Sequence, residues 1–404
     1  MAGIRRCSMP GPLAGVRVVD VSQVLSGPFA CMILADQGAD VVKVESPGLG
    51  DPMRIGFYRR GGRASFYVNT NRGKRGIVLD LQQDAGREAL LRLIERADVF
   101  VQNWRPGAAE RLGLGWEALH ARNPELIYVS ISGYGDSGPY RDRRVYDPII
   151  QGLTGHVAVQ TNPDVPIPDL VRNVVADKAA AWTAAQAVTA ALFARGRGAG
   201  GQHVTLPMLD ASLYFFWPDG MMKHTWVGES EFQGPALYDL YRLWETADGH
   251  IIYFTATDPE FHGLYRALGH PEWVTDPRFA SVPARAVPEN REALGALLFE
   301  AIRGWNTREL IERMVAEQVP VGPVCTIEQM LEDPQIRHNA AWFESEDAAT
   351  GRRREASPPA RFSGTPQQAG GLAPAYGEHT EAVLGELGYD AAAIARMRSE
   401  GVIR

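Results

Sequence analysis

Short β-branched runs alternate with helical stretches through the first half of this 404-residue chain, and that alternation restricts the fold more than any other feature. Val16–Val21 reads as a strand, Phe29–Gln37 as a helix stopped by Gly38, and Ala39–Glu45 as a second strand. The unit recurs as strand Ile77–Leu81, helix Asp84–Ala97 with Leu90, Leu93, Ile94 and Ala97 on one face, and strand Asp98–Val101. Helix Trp116–Arg122 and strand Leu126–Ser132 follow, then a long Ala-rich helix, Lys178–Ala194, a glycine-rich turn, Gly196–Gly201, and strand His203–Leu209. Parallel strands need long crossover connections, which these helices supply. The expected class is α/β, with a mostly parallel sheet covered by helices on both faces.

From Tyr238 the rhythm changes. Tyr241–Phe254 predicts a β-hairpin turning at Asp248-Gly249, and helices are expected around Glu260–Leu268, Arg291–Arg303 and Thr307–Glu317. This places a smaller α+β domain at 226–330 after a large domain at 1–225. Gly364–Pro374 reads as a linker into a terminal helical segment, Thr380–Glu400.

Composition narrows the functions. With 45% hydrophobic and 22% charged residues the chain is an ordinary globular one. A net charge of -7, with no basic run longer than Gly351-Arg352-Arg353-Arg354, argues against nucleic acid as the main partner. Ala179–Ala194 is shorter than a membrane span and carries Thr183 and Gln186. Met1–Pro12 holds Arg5 and Arg6 without an apolar signal core, and Cys7, Cys31 and Cys325 lack metal or redox spacing. A cytoplasmic enzyme with no metal and no membrane partner is expected.

Several motifs have two readings. Gly133-Tyr-Gly-Asp-Ser-Gly138 matches G-x-G-x-x-G, but Pro139 and Tyr140 follow where a dinucleotide loop must open a helix, so it reads as a turn. Glu45 reads as a solvated strand end. Arg72, Lys74, Arg75, Arg105, Arg111, Arg141, Arg143 and Arg144 lie between and after the strands, where an α/β sheet binds ligands, and make a phosphorylated ligand plausible against the plainer reading of a solvated rim. Asp177, just before the Ala-rich helix, is either an N-cap or a carboxylate held ionised by the helix dipole for covalent attack. The histidines show no zinc-like spacing, and no serine or cysteine forms a nucleophile elbow.

Six ordered motifs carry a resemblance. Pro12–Asp20, Gly38–Glu45 with Gly50-Asp51, Asn69–Arg75, Gln102–Gly107, Gly201–Thr205 with Leu209–Ala211, and Gly377–Thr380 with Glu386–Tyr389 closely resemble the family III CoA-transferases from about residue 12 to the C-terminus. The resemblance implies a Rossmann-like large domain completed by residues 331–404, the smaller domain inserted between, and two chains interlocked as a homodimer. It implies no tightly bound cofactor, with a coenzyme A thioester and a carboxylic acid as substrates. The family's catalytic aspartate falls on Asp177, and its CoA contacts fall on Val24, Leu25, Leu79, Asn103, Trp104, Arg111, Arg144 and Met208. Ser46 stands where many members have arginine, Leu25 replaces a glutamine of formyl-CoA transferase, and that enzyme's glycine-rich loop is not recognisable between Gly228 and Gly234. These departures argue against formyl-CoA or oxalate as the substrate pair.

The family also contains α-methylacyl-CoA racemases, which place a His-Asp pair after the Gly-Tyr-Gly loop so that histidine and aspartate exchange a proton at the α-carbon. Here the pair is Tyr146-Asp147. A phenol titrating near pH 10 is a poor α-proton base, so CoA transfer is favoured, with racemase as the alternative and an inactive CoA-binding protein behind it. Tyr146 and Asp147 are expected to shape the acyl site. The aromatic run Tyr214–Trp217 with Met221, Met222 and Trp226 reads as core or dimer-threading surface before acyl pocket.

Overall fold

The computed structural model describes residues 11–160, 168–228 and 234–404. Arg5, Arg6, Cys7 and most of the Gly228–Gly234 segment singled out above lie outside the described residues. The chain divides into two compact units, Met1–Glu229 with Ala340–Arg404, and Ser230–Asn339.

The first unit is built on six parallel strands: β1 (Arg17–Asp20), β2 (Asp40–Glu45), β3 (Lys74–Val78), β4 (Val99–Gln102), β5 (Ile127–Ser132) and β6 (Gln202–Pro207). Their spatial order is 3-2-1-4-5-6, every adjacent pair parallel. Growth reverses beside β1, so β1 and β4 frame a topological switch point whose carboxyl-end loops face the same crevice. Successive side chains leave opposite faces of each strand. Val18, Val99, Val101, Ile127 and Val129 join one core with α1 (Ser26–Asp36) and the Ala-rich helix Val175–Ala194, while Val19, Val42, Val44, Phe100 and Tyr128 join another with helix Asp84–Ile94 and the terminal segment. Both faces are therefore covered, as the unbroken apolar strands demand.

The terminal segment closes the β3 edge. Thr380 Oγ1 accepts the Val78 N–H at 3.1 Å, the His379 N–H donates to the Gly76 carbonyl at 2.8 Å, and the Asp80 N–H reaches the Val402 carbonyl at 2.8 Å. The helix expected over Thr380–Glu400 is two helices, Thr380–Glu386 and Ala391–Ser399, divided at Gly388, whose φ of 90° ends the first in the manner of a C-terminal glycine. A hairpin that the sequence pattern did not predict, Trp342–Asp347 with Gly351–Ala356, is held by cross-strand pairs of Glu344 with Arg352 and Arg354.

In the second unit the turn at Asp248-Gly249 joins Trp244–Glu245 to His250–Tyr253 as an antiparallel pair, and Val321–Pro323 adds a third strand. Helices Asp258–Ala267, Pro288–Arg303 and Thr307–Ala316 bury Leu264, Leu298 and Leu310 with Ile251. Among the described residues no helix is long and apolar enough to cross a membrane, and no cluster of three metal-ligating side chains occurs.

Candidate active site

Asp177 is not an N-cap. Val174 holds that position, and Asp177 is the third residue of helix Val175–Ala194, its side chain turned inward and 8% exposed. Burial pushes its carboxyl up, the Asp147 carboxylate pushes it further, and the hydroxyl and backbone N–H of Ser26 pull it back, leaving it at about 7 instead of the ordinary 3.8. Asp147 in turn accepts the Asp177 backbone N–H at 3.0 Å and is braced by the Gln151 side-chain amide. Gln151 is itself tied to the backbone on the approach to the helix, its Oε1 accepting from Val171 N–H at 3.1 Å and its Nε2 donating to the Asn173 carbonyl at 3.1 Å. Asp147 and Asp177, thirty residues apart in sequence, thus form one unit.

Ser26 opens α1 directly after the β1 loop, so its N–H is one of the helix's unpaired donors. The loop is fixed residue by residue. Asn103, on the β4 loop across the switch point, accepts the Gln23 N–H at 2.8 Å and donates to the Gln23 carbonyl at 2.7 Å. Val24 has φ of 70°, a left-handed conformation that a β-branched residue rarely takes, and its N–H reaches Asp51 Oδ1 at 3.3 Å. Lys43 Nζ donates to the Ser22 carbonyl at 2.8 Å. A Cβ on Gly27 would lie 2.3 Å from the Ser22 hydroxyl, so glycine lets the helix start close against the loop.

The remaining expected residues divide by environment. Leu25 and Val174 share the wall of a groove of about 630 Å³ with Phe29, Phe66, Lys178 and Trp182. Trp104 lines a second cavity, of about 320 Å³, with Arg105, Ser130, Asp136, Arg141 and His203. Arg111 and Arg144, on the segments after β4 and β5, are exposed and make no ion pair with another described residue. Met208 begins helix Met208–Gly220 and is buried against the first core. Leu79 is wholly inside the second core, so its side chain offers no surface. Tyr146 is exposed at the N-terminus of helix Asp147–Leu153, whereas Asp147 is buried.

Three of the basic residues read as a phosphate rim are engaged in ion pairs, Arg72 and Lys74 buried and Arg75 partly exposed. Arg72 pairs with Asp36, Lys74 with Asp20, and Arg75 with Asp40 and Glu386. Glu45 is not a solvated strand end: it is 3% exposed and receives Arg54 and the Asp51 N–H. The sequence reading also missed Ser26, Lys43 and Asp51 as neighbours of the site. The Gly38–Glu45 and Gly50-Asp51 motifs were the available signals for Lys43 and Asp51.

The pattern of CoA-transferase family III matches residues 13–380. The chain belongs to that family. It is 35% identical to a succinate–glutarate CoA-transferase of Agrobacterium fabrum, covering 93% of this chain and 96% of that protein. It is 30% identical to a formyl-CoA:oxalate CoA-transferase of Bradyrhizobium diazoefficiens, with 98% of each covered. A crystal structure of a CaiB/BaiF family protein from Brucella suis superposes with a TM-score of 0.81 at 33% identity, covering 94% of this chain and 100% of that one. The CoA-transferases among its relatives support transfer of CoA between acyl-CoA thioesters and acids, and give the Asp147–Asp177 unit its chemical context.

Proposed function

We propose that Asp177 is the nucleophile of a CoA-transferase that works through covalent aspartyl intermediates. Its carboxylate attacks the carbonyl of the donor acyl-CoA, the C–S bond breaks, and a mixed anhydride and CoA thiolate result. The thiolate attacks the aspartyl carbonyl and expels the donor acid, leaving an aspartyl-CoA thioester. The acceptor carboxylate displaces the thiolate as a new anhydride, and thiolate attack on the acceptor carbonyl releases acyl-CoA and restores Asp177. No net proton is consumed.

The observation that carries this reading is a buried carboxylate in the first turn of a 20-residue helix, beside the first turn of α1. Burial strips water from the nucleophile, and backbone N–H groups near Leu25 are candidate donors to the tetrahedral oxyanion. Arg111 and Arg144, with Arg105 and Arg141 at the second cavity, supply cations for the phosphates of CoA in a chain whose net charge is -7. The CoA contacts expected at Val24, Leu25, Asn103, Trp104 and Met208 belong to this reading, with Tyr146 and Asp147 bordering the acyl group. So does the interlocked homodimer of Rossmann-like large domains: Tyr214, Phe215 and Trp217 leave the Met208–Gly220 helix exposed and in need of a covering surface.

The deciding experiment incubates the enzyme with a panel of acyl-CoA donors and carboxylic acids and traps adducts with hydroxylamine. Asp177→Ala is expected to abolish both exchange and the trappable adduct. Full turnover by that variant overturns the assignment. Deuterium entering the α-carbon in heavy water without any acceptor acid would instead establish racemase chemistry.

A further inference from the structure

The helix that carries Asp177 begins without a cap of its own. Val174 holds the N-cap position and has no side-chain acceptor, so the first backbone N–H groups find no partner within their own helix. The first bond inside the helix runs from the Lys178 N–H to the Val174 carbonyl at 3.1 Å. One place earlier, the Asp177 N–H goes instead to Asp147 Oδ2 at 3.0 Å, on helix Asp147–Leu153. Asp147 thus does from another helix what a capping side chain at 174 would do. Gln151, one turn after Asp147 and 2% exposed, decides how. Its Oε1 accepts the Val171 N–H at 3.1 Å, a bond only the oxygen can make, so the amide nitrogen must face the other way. That nitrogen donates to Asp147 Oδ1 and to the carbonyls of Asn173 at 3.1 Å and Val171 at 3.3 Å. The other hydrogen bonds of 168–174 among the described residues are local, Arg172 with Asp169 and Asn173 with Val175 and Lys178. One amide therefore joins the capping carboxylate to the chain that enters the helix.

We propose that Gln151 is a positioning residue for Asp177: it turns Asp147 so that one carboxylate oxygen caps the Asp177 N–H, and it pins Val171 and Asn173 so that the first helical turn holds the nucleophile in line. This rests on Asp177 being the attacking group. Gln151 acts through Asp147 and the backbone, not by contact with the reacting atoms. Its neutral amide is what the arrangement requires. Glutamate has the same shape but puts an oxygen where Nε2 now donates, so when ionised it meets the Asp147 carboxylate and two carbonyls with no proton to offer. Protonated, it can still donate to Asp147. On the elements packed around the clamp, the Lys178 ammonium is taken by Asn173 Oδ1 at 2.6 Å, Arg172 pairs with Asp169, and His156 Nε2 lies 3.2 Å from Ser212 Oγ. Asp210, Tyr214 and Asp219 on helix Met208–Gly220 are exposed, as is Tyr146.

The test compares Gln151→Glu with Gln151→Leu in the full-length enzyme, each scored as its kcat relative to wild type at the same pH. Gln151→Leu is expected to lose on the order of 10²-fold in kcat at every pH with KM little changed, as for a misaimed reacting group. Gln151→Glu is expected to stay close to wild type at acid pH and to fall toward the leucine value as its new carboxyl ionises. Thr154→Val is the control, since it removes the 2.9 Å contact between the Thr154 and Ser212 hydroxyls at the end of the same helix. It should lower thermal stability and leave kcat unchanged. If Gln151→Leu does not fold, the pH trend of Gln151→Glu decides alone. A Gln151→Glu ratio that does not fall with pH overturns the proposal, as does a kcat loss in Thr154→Val equal to that of Gln151→Leu. Failure of both Gln151 variants to fold makes the residue structural and overturns it as well. Hydroxylamine trapping of Asp177→Ala keeps the two readings separate: an adduct surviving in that variant sinks the nucleophile assignment, whereas its loss there together with a flat Gln151→Glu ratio sinks the positioning role alone.

Discussion

Asp177 occupies a place where ionisation is costly, and that cost has a measurable sign. Its carboxyl is pushed from 3.8 to about 7, so the folded protein binds this proton more tightly than the unfolded chain does. The resulting stability is fully present below about pH 4 and is lost as pH rises through about 7. Asp177→Asn places a neutral isostere there. Thermal unfolding near pH 3, below both titrations, should find the two proteins nearly equal, and at pH 8 should find the asparagine variant more stable by a few kcal/mol, up to about 4 if the whole shift is realised. An equal difference at both pH values would mean that burial does not perturb Asp177. Asp147→Asn removes the second cause of the shift and should bring the acid limb of activity to lower pH in any transfer assay. The sequence left Asp177 poised between cap and nucleophile because both belong at a helix start. The helix begins at Val175, two residues before Asp177, and that small displacement turns an expected capping group into a buried carboxyl.

At the scale of elements, residues that fit their neighbours by subtraction are as informative as those that fit by contact. Gly73 and Gly370 bring two backbones together where no side chain fits: a Cβ on Gly370 would stand 2.6 Å from the Gly73 Cα, and the Gly73 N–H donates to the Gly371 carbonyl at 2.9 Å. This crossing ties the returning C-terminal chain to the start of β3. Gly370→Ala should therefore lower stability by about 1–3 kcal/mol, the usual cost of overpacking. Gly371→Ala meets nothing within 4 Å and should stay within about 0.5 kcal/mol of wild type. Urea midpoints of the two variants check the contrast, and equal losses would show that the crossing bears no constraint. The strands around this crossing were legible because β-branched runs such as Val16–Val21 and Ala39–Glu45 announce burial on both faces. The Trp342–Asp347 and Gly351–Ala356 hairpin was not, since its strands are rich in Glu and Arg and cohere through cross-strand ion pairs that only register reveals. For the same reason Glu45 looked like a solvated strand end: its burial follows from Arg54 and Asp51 on other segments, which no local pattern encodes.

At the scale of the whole molecule, large aromatic side chains stand exposed on two adjoining helices. Helices Val175–Ala194 and Met208–Gly220 pack together and expose Trp182, Phe193, Tyr214, Phe215 and Trp217, with Tyr214 83% accessible. Aromatic groups concentrated on two adjoining helices mark an association surface and not a solvated face. The proposed interlocked homodimer would cover them, and it would differ from an ordinary face-to-face dimer in a kinetic way. Two subunits joined only by contact exchange partners at a rate set by their dissociation, so dilution and mixing produce hybrids. Chains threaded through one another cannot part until at least one of them opens, and exchange is then governed by unfolding. Sedimentation of the purified protein should give twice the chain mass at every concentration from nanomolar upward. Mixing affinity-tagged with untagged enzyme under native conditions should yield no hybrid, whereas unfolding the mixture and refolding it together should yield hybrids readily. Hybrids that form without denaturant would leave the aromatic faces as an interface between separable subunits, and a chain-mass species that keeps full transfer activity would remove the dimer from the mechanism altogether.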